Sequence, residues 1–281
     1  MMHRCMDIRA GLSMGEIHVW TARLFDDDRT TAGLLPILDQ EERARAAKFS
    51  FKRDRTRFIQ AHGFVRRIVA GYADADAAAL IFARNRFGKP YLVSCANGPN
   101  LQFSVSHSGD YCLLAVRRDP VGIDVEKMRD LPQAMDIAQS YFTPSESKAL
   151  AALRGTARRE AFFVSWTHKQ STVKGLGIGL GANLGRAEFD LDPAARPRFV
   201  GWDGDRSVGQ SWSIVRLDPA PGYVAAVASV LPFRSLTSQS WSHMGADSRP
   251  ASRRDPYSYD RKPWTSIGNC AMLLHDRRGD L

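Results

Sequence analysis

The chain of 281 residues has only four cysteines, Cys5, Cys95, Cys112 and Cys270, and no CxxC pair among them. That scatter argues against a zinc site and against a disulfide framework, and it suits a reducing cytoplasm. No apolar run approaches the 18 or so residues of a membrane-spanning helix. The N-terminus, MMHRCMDIRAGLSMGEIHVW, lacks the continuous apolar stretch of a secretory signal. The formal net charge is +9, yet no single Lys/Arg block carries it, and no RNA-binding or zinc-finger signature accompanies it. A nucleic-acid partner and a membrane partner are therefore not expected. An anionic small molecule, an acidic protein partner or a basic tail accounts for the charge.

What is present is enough for a real core, with 44% hydrophobic residues in a length that suits one large domain or two modest ones. EIHVWTARL alternates as an opening strand. Asp39 to Ala73 reads as one helix, with Asp39 as N-cap, Glu41 and Glu42 in the first turn, and Gly71 ending the run. NRFGKPYLV is a turn entering a short strand. LQFSVSHSGDYCLLAVRRDPVGIDVEKM reads as three short strands, with HSGD as a tight turn between the first two. Helices resume near Asp136, and Thr143 with Glu146 forms a capping box. The longest helix of the second half carries WTHKQSTVKGLG. AEFDL, SWSIVRL and YVAAVASV follow as strands. Each half thus runs from helices to strands. From Leu236 onward the composition turns to Ser, Arg, Asp and Pro, so residues 236–281 read as a disordered tail.

Three stretches carry chemistry. In VGIDVEK, side chains two apart share one face of a strand, with Cα atoms roughly 6–7 Å apart. Asp124 and Glu126 therefore point together, and a hard divalent cation such as Mg²⁺ is a natural occupant between them. An alternating surface strand with two solvated acids is the plainer alternative. In SVSHSGD, Ser106 and His107 sit at a turn with Gly109, where small residues let backbone N–H groups reach an anion. An ordinary hairpin explains the same residues. On the third stretch, Trp166, Lys169, Gln170, Val173 and Lys174 follow three- and four-residue steps along one helix face. Trp166 and Val173 are expected to pack, Lys174 to reach a phosphate, and Lys169 to lie on a solvated face.

The order NxxGKP, SVSHSGD, GIDVEK, WxxKxxxxKxxG and PGYVAAVA resembles the Sfp-type 4'-phosphopantetheinyl transferases, over about Arg43 to Val230. The resemblance implies an α+β fold of two similar α/β halves related by a pseudo-twofold, here 1–118 (CoA-binding) and 119–235 (Mg-binding and catalytic), with the active site between them. It implies transfer of the 4'-phosphopantetheine arm of coenzyme A to a serine of an acyl or peptidyl carrier protein. Fatty-acid, polyketide, peptide and siderophore pathways all stay open. It carries Mg²⁺ onto Asp124, Glu126 and position 170, and CoA contacts onto Arg45, Arg57, Lys89, Ser106, His107, Asp124 and Lys174. Glu42 falls where a further basic phosphate contact is expected, which would weaken the outer grip. Two similar halves in one chain complete a site without a partner subunit, so a monomer is expected.

One position departs from the pattern. The helix of such enzymes reads W-x-x-K-E, and here it reads WTHKQ. An amide at Gln170 keeps an oxygen for a cation but holds no charge and takes no proton. Loss of a positioned base costs about 10²–10⁴-fold in rate. The alternative reading is therefore a catalytically impaired homologue that still binds CoA or the carrier. His168 is the nearest substitute base, but one helical step turns it about 100° away.

Overall fold

The computed structural model describes residues 12–93, 101–179, 181–190, 198–230, 232–241 and 251–252. Strand β1 (Glu16–Arg23) is buried on both faces. Helix α1 (Asp28–Leu34) is capped by Asp27, whose carboxylate accepts the Arg29 and Thr30 amides. Helix α2 (Gln40–Ala47) starts at a reciprocal capping box between Asp39 and Glu42, and α3 spans Lys52–Ala73.

The single helix expected over Asp39–Ala73 is two. The chain breaks after Lys48, and Phe51 is extended (φ −101°, ψ 129°). A straight helix of that length would run about 50 Å. The break instead folds Ala46 and Ile59 onto one small cluster with Leu34 and Leu38. Gly71 does not end α3, which continues to Ala73 and stops where Asp74 turns left-handed.

A small hairpin follows, β2 (Phe82–Arg84) with β3 (Pro90–Leu92). Next come β4 (Gln102–Ser108), β5 (Tyr111–Arg117) and β6 (Val121–Lys127). Helices α4 (Ala134–Tyr141), α5 (Pro144–Ala152) and α6 (Gly155–Leu176) follow, with the expected Thr143–Glu146 capping box opening α5. Then come β7 (Ala187–Asp190), β8 (Arg198–Trp202), the short α7 (Ser207–Gln210), β9 (Trp212–Leu217) and β10 (Tyr223–Val230). Strands β11 (Ser235–Trp241) and β12 (Ala251–Ser252) come last.

The fold is α+β and repeats itself. In the first half β1, β5 and β4 lie side by side, all antiparallel. In the second, β6, β10 and β9 do the same. Both orders are first, third, second, and each half carries one 22-residue helix, α3 or α6. The two sheets face each other across Ile17, Val19, Leu113 and Ala115 from one side and Ile123, Val125, Ala225 and Val227 from the other. Helix α3 covers the outer face of the first sheet and α6 that of the second. Four layers result, helix, sheet, sheet, helix, so every central strand is buried on both faces.

The tail expected from residue 236 does not begin there. Strand β11 pairs in parallel with β1 from Glu16↔Ser235 to Ala22↔Trp241, and β12 pairs antiparallel with β11. Gln239 is buried, and Trp241 packs on Phe64 with ring centroids 5.3 Å apart. Without β11, β1 would present an open edge. Residues 242–250 and 253–281 lie outside the described residues.

Candidate active site

Two elements make the centre, β6 and α6, and Gly122 brings them together. A Cβ at that position would lie 1.7 Å from the Ser171 carbonyl oxygen, so only glycine lets the strand meet the helix backbone. The period of two then sends Asp124 and Glu126 to the same side as Gly122, while Ile123 and Val125 enter the core between the sheets. The acids are 2% and 5% exposed, which excludes a solvated surface strand.

Lys174, one turn beyond Gln170 on α6, donates from Nζ to Asp124 Oδ1 at 3.0 Å and to the Val105 carbonyl at 3.2 Å. Ser106 Oγ donates to the same Asp124 oxygen at 2.8 Å, and Ser108 Oγ donates to Glu126 Oε2 at 2.9 Å. Asp124 Oδ2 is buried with no hydrogen-bond partner. Burial raises the Asp124 carboxyl above the usual range, against the pull of Lys174. Burial, and then the charge of Asp124, push Glu126 up to about 8. Two buried neighbouring acids with an orphaned oxygen form a donor set that fits a hard divalent cation. Among the described residues no group of three His, Cys, Asp or Glu converges, in keeping with the amide at Gln170. Gln170 itself is fully buried.

The predicted residues do not all gather here. Ser106, Asp124, Glu126 and Lys174 do. Lys89 comes close from the β2–β3 hairpin, donating to the carbonyls of Val121 (3.1 Å) and Gly175 (3.2 Å), and burial lowers its ammonium to about 8. Lys89 and Lys174 both line a cleft of ≈ 100 Å³, with Phe87, Val105 and Val173. Ser106 and His107 are not turn residues as expected. They are adjacent in β4, so their side chains leave on opposite faces, and His107 is exposed on the α3 side. The turn itself is Gly109–Asp110, where Gly109 (φ +55°) packs so near Tyr223 that a Cβ would sit 2.5 Å from its hydroxyl.

Arg57 pairs with Asp110 at that turn and lines a second cavity of ≈ 260 Å³ with Arg23 and Arg53. Burial opposes ionisation of Asp110, but Arg57 and Lys127 together hold its carboxyl below the usual range. Arg45 is exposed, its guanidinium 5.5 Å from the Phe58 ring centroid. Glu42 is engaged within its own half, against His62 at 2.8 Å and Arg66 at 2.6 Å.

Lys169 overturns the expectation of a solvated face. It is fully buried, paired with fully buried Glu146 at 2.7 Å, and it lies over the rings of Phe142 and Phe189. Helix α6 is buried from Phe162 to Gly175, so it has no solvent face there. Lys169 faces the core of the second half, while Lys174 faces the acids. His168 is turned the same way as Lys169. Its Nδ1 meets the Val164 carbonyl at 2.7 Å, its ring stands edge-on to Phe189, and burial lowers it to about 4. It is no substitute base. Ser104, Ser108, Gly122 and the Glu146–Lys169 pair escaped the sequence reading, although the S-x-S-x-S spacing was legible.

Fold and site define a two-half α+β protein that sets buried acids and lysines at the seam. A family model described as 4'-phosphopantetheinyl transferase, N-terminal, matches residues 27–119, and one described as 4'-phosphopantetheinyl transferase superfamily matches 120–228. The chain belongs to that superfamily. It is 31% identical over 214 residues to the 4'-phosphopantetheinyl transferase HetI of Nostoc sp., covering 76% of this chain and 87% of the relative. A 4'-phosphopantetheinyl transferase of Bacillus subtilis is 32% identical over 185 residues (62% of this chain, 79% of the relative). The human L-aminoadipate-semialdehyde dehydrogenase-phosphopantetheinyl transferase is 31% identical over 165 residues (56% and 53%). A solved holo-(acyl-carrier-protein) synthase from Bacillus anthracis, in complex with CoA (3',5'-ADP), overlays 40% of this chain and 96% of its own, with a TM-score of 0.33 and 16% identity.

Proposed function

We propose that this transferase moves the 4'-phosphopantetheine arm of coenzyme A to a serine of an acyl or peptidyl carrier protein, with a divalent cation held by Asp124 and Glu126 and the amide oxygen of Gln170 beside them. The observation that carries the reading is the cluster of Asp124, Glu126, Ser106 and Lys174 at the seam between the halves. A cation bound there supplies charge neutralisation for the diphosphate. Phosphoryl transfer depends chiefly on positioning and on neutralising charge. Lys89 and Lys174 line the same cleft and bring two ammonium groups to a polyanion. Lys174 sets its ammonium against Asp124 and also lines the cleft in which a phosphate would sit. Ser106 fixes the Asp124 carboxylate.

The serine hydroxyl of the carrier must lose a proton, and Gln170 does not accept one. Without a positioned base at that residue the proton leaves to water, and turnover falls by about 10²–10⁴-fold, which is what such a base is worth. Incubating an apo carrier protein with CoA and Mg²⁺ and weighing it by mass spectrometry tests the transfer. The expected result is a mass gain of one phosphopantetheine, formed slowly, and about 10²-fold faster with Gln170→Glu. No gain with either chain, against several acyl and peptidyl carriers, rules the function out. The buried amide at position 170 also favours a second reading, a silent CoA- or carrier-binding homologue. That reading predicts no gain with the wild-type chain and gain restored by Gln170→Glu.

A further inference from the structure

Strand β6 ends its three-stranded sheet, and β4 ends the five-stranded one. Among the described residues no further strand pairs with either on its outer side, yet both edges are buried where the halves meet. The β6 amides need acceptors there. Three serines supply them. The amides of Ile123, Val125 and Lys127 donate to the hydroxyls of Ser104 (3.1 Å), Ser106 (3.3 Å) and Ser108 (3.1 Å). The offset is 19 residues each time, so the strands run parallel and every second residue of one meets every second residue of the other.

A serine hydroxyl accepts and donates at once. Ser106 donates its hydroxyl hydrogen bond to Asp124 and Ser108 to Glu126, each to the residue just before the amide it accepts. The third rung has no such acid, because the corresponding residue is Gly122. The ladder thus contains its own control, a rung that joins the halves and orients no carboxylate.

We infer that Ser106 and Ser108 are positioning residues for the acid pair, and that Ser108 orients Glu126 toward a bound cation. The inference rests on the cation reading above. Removing a hydrogen-bond partner of a metal ligand lowers metal affinity by about 10–100-fold. The seam amide lost is the same in kind whether Ser104 or Ser108 is cut back, so damage to the fold alone affects both variants alike.

The test uses the full chain and Mn²⁺ as the probe, followed by the loss of the free-ion electron paramagnetic resonance signal. Urea denaturation runs in parallel. Ser108→Ala is expected to weaken Mn²⁺ binding about 10–100-fold, Ser104→Ala to leave it within about twofold, and Ser108→Thr, which keeps the hydroxyl, to stay near wild type. Both alanine variants are expected to lower the urea midpoint by similar amounts. If the wild type binds Mn²⁺ and Ser108→Ala binds it as Ser104→Ala does, the positioning role falls while the cation reading stands. A wild-type chain that takes up no Mn²⁺ at millimolar concentration overturns both together.

Discussion

Gly122→Ala would probe the contact on which the centre is built. The new Cβ would lie 1.7 Å from the Ser171 carbonyl oxygen and 2.4 Å from the Gly175 amide nitrogen, whereas ordinary contact starts at 3.4 Å. Both neighbours are backbone atoms of α6, so no side chain can rotate away. The strand and helix must part by roughly 1 Å or more, and a gap of that size forfeits about half the dispersion attraction at each contact it opens. Overpacking a yielding core costs about 1–3 kcal/mol, and backbone on both sides raises this to about 3–5 kcal/mol. With a urea slope of about 3 kcal/mol/M, the midpoint drops by about 1–1.7 M. The same displacement stretches the 3.0 Å bond between Lys174 and Asp124. Urea denaturation followed by tryptophan fluorescence is the assay, with Gly33→Ala as control, since a Cβ there meets nothing within 4 Å. A Gly122→Ala chain with the wild-type midpoint would refute the claim that only glycine admits α6 against β6.

Three further outcomes are expected. Lys169→Met strands the buried Glu146 carboxyl and should cost about 3–5 kcal/mol; Lys169→Met with Glu146→Gln should recover most of it, and a double variant no more stable than the single one would contradict the pairing. Burial pushes the Glu42 carboxyl up, but His62, the Asp39 amide and Arg66 outweigh it and hold it at about 2. Its contribution is therefore complete above the unfolded value of 4.5 and lost as pH falls toward 2. The stability gap between wild type and Glu42→Gln should be about 2–3 kcal/mol at pH 6, allowing for partial solvent screening, and should close by about pH 2; a gap independent of pH would exclude the ion pairs as its cause. Truncation after Arg234 opens the edge of β1 and bares Phe64, so the shortened chain should self-associate in light scattering, and a monodisperse product of unchanged stability would argue against a structural role for β11.

The parts of the site that sequence disclosed are those with a short, local period. Asp124 and Glu126 face together because a strand repeats every two residues, and Lys174 lies one turn past Gln170 because a helix repeats every 3.6. Lys169 was misplaced because face assignment assumes that one side of a helix meets water, and α6 is enclosed between its sheet and α4–α5. The break at Lys48–Phe51 carries no proline or glycine to mark it. Strand β11 is rich in Ser, Thr and Gln and is held largely by backbone pairing with β1, which composition does not report.

The sequence alone determined the chemistry on offer, two acids in one strand, lysines at GKP and on the long helix, and an amide where a carboxylate belongs. It also determined the repeat of helices and strands, since local spacing encodes both. Only the tertiary structure decided which lysine meets the acids and which serves the core. The same is true of the two sheet edges that close through serine hydroxyls instead of a backbone ladder. Those outcomes depend on contacts between residues far apart in the chain, and burial there sets the cost of every unpaired charge and amide.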